Sequence, residues 1–155
     1  QQVSVAAARA IWGRVCAAGA DDPVVFHRLT DAAILDFGFS RPKLRYARAI
    51  CAANMDFETL VDAPDDVVFD RLTAITGIGP WTAQIYLMSC LGRVDIFPAA
   101  DLALQEATRH LLNTTDRPNT RLMTHIAKDW APYRSIAARA LWADYAILKK
   151  KDGVV

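Results

Sequence analysis

Residues 72–91 read LTAITGIGPWTAQIYLMSCL: two apolar runs of helical length, parted by Gly77-Ile78-Gly79-Pro80, which a regular helix does not run through. One helix is therefore expected to stop at Thr76 and the next to begin at Pro80, whose missing N–H costs nothing at a first helical position. Gly77 and Gly79 permit positive φ and close backbone approach, and Ile78 can plug the apolar gap between the two helices. A helix that starts this way points free N–H groups outward, an anion site that needs no lysine. Such a turn grips a phosphate backbone without reading base sequence. The structural alternative is a tight connection between two helices and nothing more.

The rest of the chain reads as helical as well. Val3, Ala7, Ile11 and Val15 form one apolar row at a spacing of four, with Ala8, Trp12 and Cys16 beside it, which predicts a helix ending near Gly19. Further helices are expected at 31–37, 42–54, 65–75, 80–91, 102–112, 119–130 and 134–149, separated by short Pro, Gly, Asn or Asp punctuation. The last carries Ile136, Ala140, Ala143 and Ile147 on one face, and frequent alanine favours closely packed helices. No strand pattern competes, so the expectation is an all-α fold with short turns and no internal repeat. With 155 residues, 53% of them hydrophobic, the chain has the size of a single helical domain over 1–155. It opens on Gln1 and enters a helix almost at once, so an upstream helix or segment is expected to be missing. No apolar run approaches the roughly 18 to 20 residues of a spanning helix, and the start lacks the pattern of a signal peptide; no membrane partner and a cytoplasmic location are expected. Cys16, Cys51 and Cys90 lie far apart in apolar surroundings and read as buried thiols, and Trp12 and Trp142 fall in helical rows as core residues.

Net charge is +1, too little for bulk electrostatic binding of a polyanion, yet its distribution is uneven. Residues 1–108 carry 9 Lys/Arg against 13 Asp/Glu, whereas 109–155 carry 9 against 4. The segment 56–70 holds six acids and no base, and should face away from any polyanion. The terminal Lys149-Lys150-Lys151 run reads as a solvated tail. His27, His110 and His125 stand alone, without a partner at metal-ligand spacing.

Two strings in order carry a family resemblance. ITGIGPWTA resembles the helix-hairpin-helix of the HhH-GPD DNA glycosylase superfamily, and about twenty residues on, Val94-Asp95-Ile96-Phe97-Pro98-Ala99-Ala100-Asp101 resembles its Gly/Pro-rich loop and aspartate. From Gln1-Gln2-Val3-Ser4 to Trp130-Ala131-Pro132-Tyr133-Arg134-Ser135 the chain is most similar to the bacterial 3-methyladenine DNA glycosylase II, or alkylpurine, branch. In that family the double Gln normally follows an earlier helix or a β-rich domain, neither of which is visible in this sequence.

Read alone, Asp101 before a helix at 102–112 is an N-cap. The resemblance implies instead that it is the catalytic carboxylate of a glycosylase acting on alkylated purines in duplex DNA, in base excision repair. The chemistry is consistent: breaking a base–sugar bond builds positive charge on the sugar, which a nearby anion in a dry site stabilises, or the anion orients the attacking water. An N-alkylated purine already carries positive charge and leaves easily, so one carboxylate suffices. Bifunctional members place a nucleophilic lysine where this chain has Trp81, so no Schiff base forms there and no AP lyase activity is expected. The iron–sulfur cluster of other members needs four closely spaced cysteines, and residues 91–155 contain none.

By the same resemblance Gly77, Ile78, Gly79, Pro80 and Thr82 meet the DNA backbone, and Trp81 and Trp130 wall the pocket for a flipped base by stacking and cation–π attraction. Ile85 and Leu102 occupy two further pocket positions that are aromatic in some relatives. Tyr86 and Tyr133 stay unassigned, and Gln2 matches the residue that fills the gap left by the flipped base. The family hairpin often holds Na+ or K+ through backbone carbonyls, which would belong here to Thr73, Ile75 and Ile78; no other cofactor is expected, and the molecule is expected to act as a monomer on damaged duplex DNA. The competing readings are a glycosylase for oxidised or deaminated bases, a non-catalytic helix-hairpin-helix module that binds DNA, and a helical protein–protein module.

Overall fold

The computed structural model describes residues 5–151, and every regular element among them is helical. The α-helices are α1 (Val5–Ala17), α2 (Pro23–Arg28), α3 (Asp31–Asp36), α4 (Arg41–Ala52), α5 (Asp65–Thr73), α6 (Pro80–Ser89), α7 (Leu102–Leu111), α8 (Thr120–Ile126) and α9 (Arg134–Lys151). Short 3-10 turns occupy Glu58–Leu60 and Ala127–Trp130. Each expected helix has a counterpart, although α5 stops at Thr73 rather than Thr76 and the expected 119–130 helix tightens into a 3-10 turn after Ile126. Helix α2 was not expected: six residues are too few to show an apolar repeat, yet Asp22 caps it by accepting from the Val24 amide at 2.7 Å, and Pro23 opens it. No described helix is long and apolar enough to cross a membrane.

The described residues group into two compact units, one running up to Thr59 and including Thr73–Ile78, the other comprising Leu60–Leu72 and Gly79 onward. In the first, Val15, Ala20, Phe26, Ile34 and Leu44 form the core. Arg48 of α4 ties the end of α2: its guanidinium donates to the carbonyls of Phe26 at 3.1 Å, His27 at 3.0 Å and Leu29, and to Asp31 at 2.9 Å. It thereby satisfies carbonyls that a helix end leaves without partners. Trp12 is 59% exposed, which corrects its assignment to the core. Helix α1 buries only the Ile11–Val15 side, and Ala8, Trp12 and Cys16, one residue further round, face outward. Cys90 is exposed as well, at the end of α6, and Cys51 is only half-buried, so the expected set of buried thiols does not exist.

The second unit is built on α7 packed against α9, with Ala107 and Ala138 both fully buried, where small side chains let the backbones approach. Met88, Phe97, Leu104, Met123 and Leu141 complete the core. Here the expected packing face of α9 is corrected. Ile136, Ala140, Ala143 and Ile147 point outward, and Ser135, Ala138, Leu141, Trp142 and Tyr145 point in. The helix is apolar on two sides, and contact with α7 selected the one that periodicity did not favour.

The loop before α7 has no regular structure and is held by side chains from elsewhere in this unit. Ser135 donates its amide to Val94 O at 2.9 Å, and its hydroxyl accepts from Ile96 N at 2.9 Å and donates to Ile96 O at 3.0 Å. Arg134 forms a two-pronged pair with Asp95, at 2.7 and 2.8 Å. That guanidinium holds the Asp95 carboxyl below its ordinary range. Arg93 donates to the carbonyls of Val61 and Ala63 at 2.9 and 2.7 Å, and Gln105 donates to Ala99 O at 3.0 Å.

Candidate active site

After α5 ends, the Ile78 amide closes a turn on Ile75 O at 3.0 Å. Gly77 lies at φ +95°, a region that excludes most side chains, and a Cβ there would sit 2.2 to 2.6 Å from Cγ, Cδ1 and Cβ of Tyr46. Tyr46 is therefore a platform under the turn, a role that nothing local in the sequence announces. Gly79 differs from its expected role. Its φ of −91° and ψ of 174° are open to any residue, and a Cβ would meet nothing within 4 Å. As N-cap of α6 it offers no side chain to the first amides, and Pro80 follows at the first helical position. Thr82 is exposed and Ile78 half-buried.

Beyond α6 the chain reaches Asp101 at the start of α7. Asp101 is 7% exposed and caps α7, its Oδ1 accepting from the amides of Ala103 at 2.9 Å and Leu104 at 3.0 Å. The same Oδ1 accepts from Trp142 Nε1 at 3.2 Å, and Oδ2 accepts from Trp81 Nε1 at 2.8 Å. Four N–H donors from three helices thus orient one carboxylate, and the positive end of the α7 dipole favours its charge. Capping and a chemical role are not alternatives for this residue: Oδ1 serves the helix, while Oδ2 keeps acceptor capacity beside a single indole.

Trp81 and Asp101, chosen from the sequence as wall and carboxylate, are in direct contact. Ile85, one turn beyond Trp81 on α6, is half-buried, and Leu102 is 60% exposed at the start of α7. Trp130 packs its ring on Phe97, with centroids 5.3 Å apart, and lines a recess of about 370 Å³ with Leu111, Ala137, Ala140, Leu141 and Asp144; neither Trp81 nor Asp101 is among the lining residues. Tyr86 is half-buried, with its phenol pushed up by burial and by neighbouring Cys90, and Tyr133 is 59% exposed. Gln2 lies outside the described residues. The residue missed by sequence reasoning is Trp142, placed in the core because its row is apolar; a helical row carries no sign of where an indole N–H points.

All six acids of 56–70 are exposed, as expected. Arg109 holds Glu106 at 2.7 Å and lowers its carboxyl from the ordinary value. Among the described residues no group of three or more His, Cys, Asp or Glu is placed to hold a metal.

The model of a family described as HhH-GPD superfamily base excision DNA repair protein matches residues 1–132. A Bacillus subtilis relative, named provisionally as a DNA-3-methyladenine glycosylase, is 37% identical over 111 residues, 69% of this chain and 39% of its own. The crystal structure of a Bacillus halodurans DNA-3-methyladenine glycosidase is similar at TM-score 0.81 and 34% identity, covering 97% of this chain and 72% of that one. The Schizosaccharomyces pombe 3-methyladenine DNA glycosylase, solved with abasic DNA, is similar at TM-score 0.84 and 27% identity, covering 92% and 73%. The chain spans only 39% and 31% of the length of two curated relatives that it matches.

Proposed function

Because the chain belongs to the HhH-GPD superfamily of base excision DNA repair proteins, we propose that it is a monofunctional DNA glycosylase that hydrolyses the N-glycosidic bond of alkylated purines, 3-methyladenine and 7-methylguanine, in duplex DNA. The observation that carries this reading is Asp101, buried and held by four N–H donors, with Oδ2 against the indole of Trp81.

In the proposed reaction the C1′–N bond breaks with its electron pair going to the purine, which leaves neutral because alkylation had made it cationic. Positive charge then develops on the sugar. The Asp101 carboxylate, fixed before the reaction starts, stabilises that charge without reorganising, and water adds to C1′ with loss of a proton. A cationic purine stacks favourably on the Trp81 face, and Ile85 and Leu102 give the pocket aliphatic sides. The side chain at position 81 has no amine, so the product is an abasic site on an intact strand. Duplex DNA reaches a monomer through the uncapped start of α6, where amides meet a phosphate. The carbonyls of Thr73, Ile75 and Ile78 suit a Na+ or K+ ion, being hard oxygen donors, and Ile75 O keeps a second lone pair beside its bond to Ile78 N–H.

The test is release of free 3-methyladenine and 7-methylguanine from methylated duplex DNA by the parent and by Asp101→Asn, with strand integrity followed beside it. Release by the parent alone, on intact strands, is expected. Binding of DNA with no release from either protein would replace this reading with that of a non-catalytic DNA-binding module.

A further inference from the structure

A groove of about 440 Å³ opens beside the start of α6, and the proposed reaction makes no use of it. Pro80 lines it together with Ala100, just ahead of Asp101, and with Thr120 and Thr124, one turn apart on α8. The residue that opens α6 and two hydroxyls of α8 therefore share one rim, inside a single compact unit. Thr124 Oγ1 donates to Thr120 O at 2.8 Å, which spends its proton within the helix, whereas the Thr120 side chain is exposed at the rim. Next to it on α8 stands Arg121, also exposed. Elsewhere in this unit Arg93 and Arg139 donate to carbonyls, and Arg109 and Arg134 to carboxylates. Arg121 has no hydrogen-bond or ion-pair partner among the described residues, so the fold does not consume its guanidinium. The α5 wall of the groove is different, for it carries the exposed acids Asp65 and Asp66. A polyanion is repelled from the length of the groove and can cross it only where α6 and α8 meet at the rim.

We propose that Arg121, with the Thr120 hydroxyl, forms a second phosphate site, which takes the backbone phosphate adjacent to the one docked at the start of α6. This rests on the docking of DNA at α6 proposed above, and not on the chemistry at Asp101. A guanidinium suits the task because its planar fork matches two phosphate oxygens, and contacts of this kind fix the register of the duplex without reading its bases.

The test is the Kd of Arg121→Gln for a short undamaged duplex, read by fluorescence anisotropy over a series of salt concentrations. Affinity at low salt is expected to fall roughly tenfold, the order of one hydrogen bond to a charged group. The slope of log K against log salt is expected to shrink by about 0.9, the counterion release of one phosphate. The Tm should stay at the parent value, since the side chain is exposed. Single methylphosphonate substitutions, each removing one phosphate charge, then locate the contact: the parent is expected to lose affinity at two neighbouring positions, and Arg121→Gln at only one of them. An affinity within twofold of the parent's with an unchanged slope overturns the proposal. So does weaker binding that keeps both sensitive positions, which marks a distant effect of charge. None of these readouts depends on base release, so the proposal can fail while the glycosylase reading holds, whereas a parent chain that binds no duplex overturns both.

Discussion

Helices α6 and α7 are each ten residues long and each starts from a cap residue in extended conformation, but they treat their first amides in opposite ways. At α7 the chain supplies its own anion, Asp101, and buries it. At α6 the cap is Gly79, which supplies no side chain and leaves open space around itself. The same backbone physics, a helix start with N–H groups to satisfy and a partial positive charge, is answered by a fixed internal carboxylate in one place and by no side chain in the other. The proposed reaction draws on both: a carboxylate that does not move and a grip on phosphate that asks nothing of base sequence.

The largest expected effect breaks the α7 side. Asp101→Asn should lower base release by at least about 10²-fold, the order found when a key electrostatic group is lost, with DNA binding retained. Near-parent release would remove the carboxylate from the chemistry and leave it a cap. Next comes the turn before α6, where Gly77→Ala forces a Cβ onto Tyr46 at a positive φ. Loss of roughly 2–3 kcal/mol in denaturant unfolding is expected from strain and overpacking together. A smaller and more pointed change makes the two helix starts alike: Gly79→Asp should stabilise the fold by a few tenths of a kcal/mol, while weakening DNA binding by about tenfold or more through like-charge repulsion. Unaltered affinity, measured at fixed salt, would mean that phosphate does not dock at α6.

The mildest prediction concerns pH. Asp95 has its carboxyl lowered by Arg134, so the stability it adds is present above the ordinary carboxylate range and is lost as pH falls from about 4 toward the folded value. Tm should therefore fall more steeply with acidification in the parent than in Asp95→Asn. Equal slopes would show that this pair does not hold the loop leading to α7.

Much of this was legible beforehand. The hairpin punctuation at Gly77 to Pro80 and the cap at Asp101 are local signals, and both lie where periodicity and cap preference put them. The resemblance names Trp81 and Asp101 as wall and carboxylate, but their contact is visible only in the structure, since nothing in their separation along the chain demands it. Two readings fail for one reason. Trp12 in the core and the Ile136–Ile147 face of α9 both rest on helical spacing, which tells which residues share a face but not what covers it; the same spacing places Trp142 in the core correctly and leaves the direction of its N–H open. Gly77 and Gly79 read alike as glycines that permit positive φ, yet only Gly77 uses it, because sequence shows the residue type and not its φ.

Taken by itself, the sequence determined the helical class, the positions of the breaks and the residue types at the two helix starts, all of which depend on interactions within a turn or two of chain. Only the tertiary structure decided that Tyr46 underlies Gly77, that α9 turns its Ser135–Tyr145 side to α7, and that an indole from α9 completes the shell of Asp101. Those depend on packing between residues far apart in sequence, where burial of apolar surface selects one face among several that periodicity leaves equivalent.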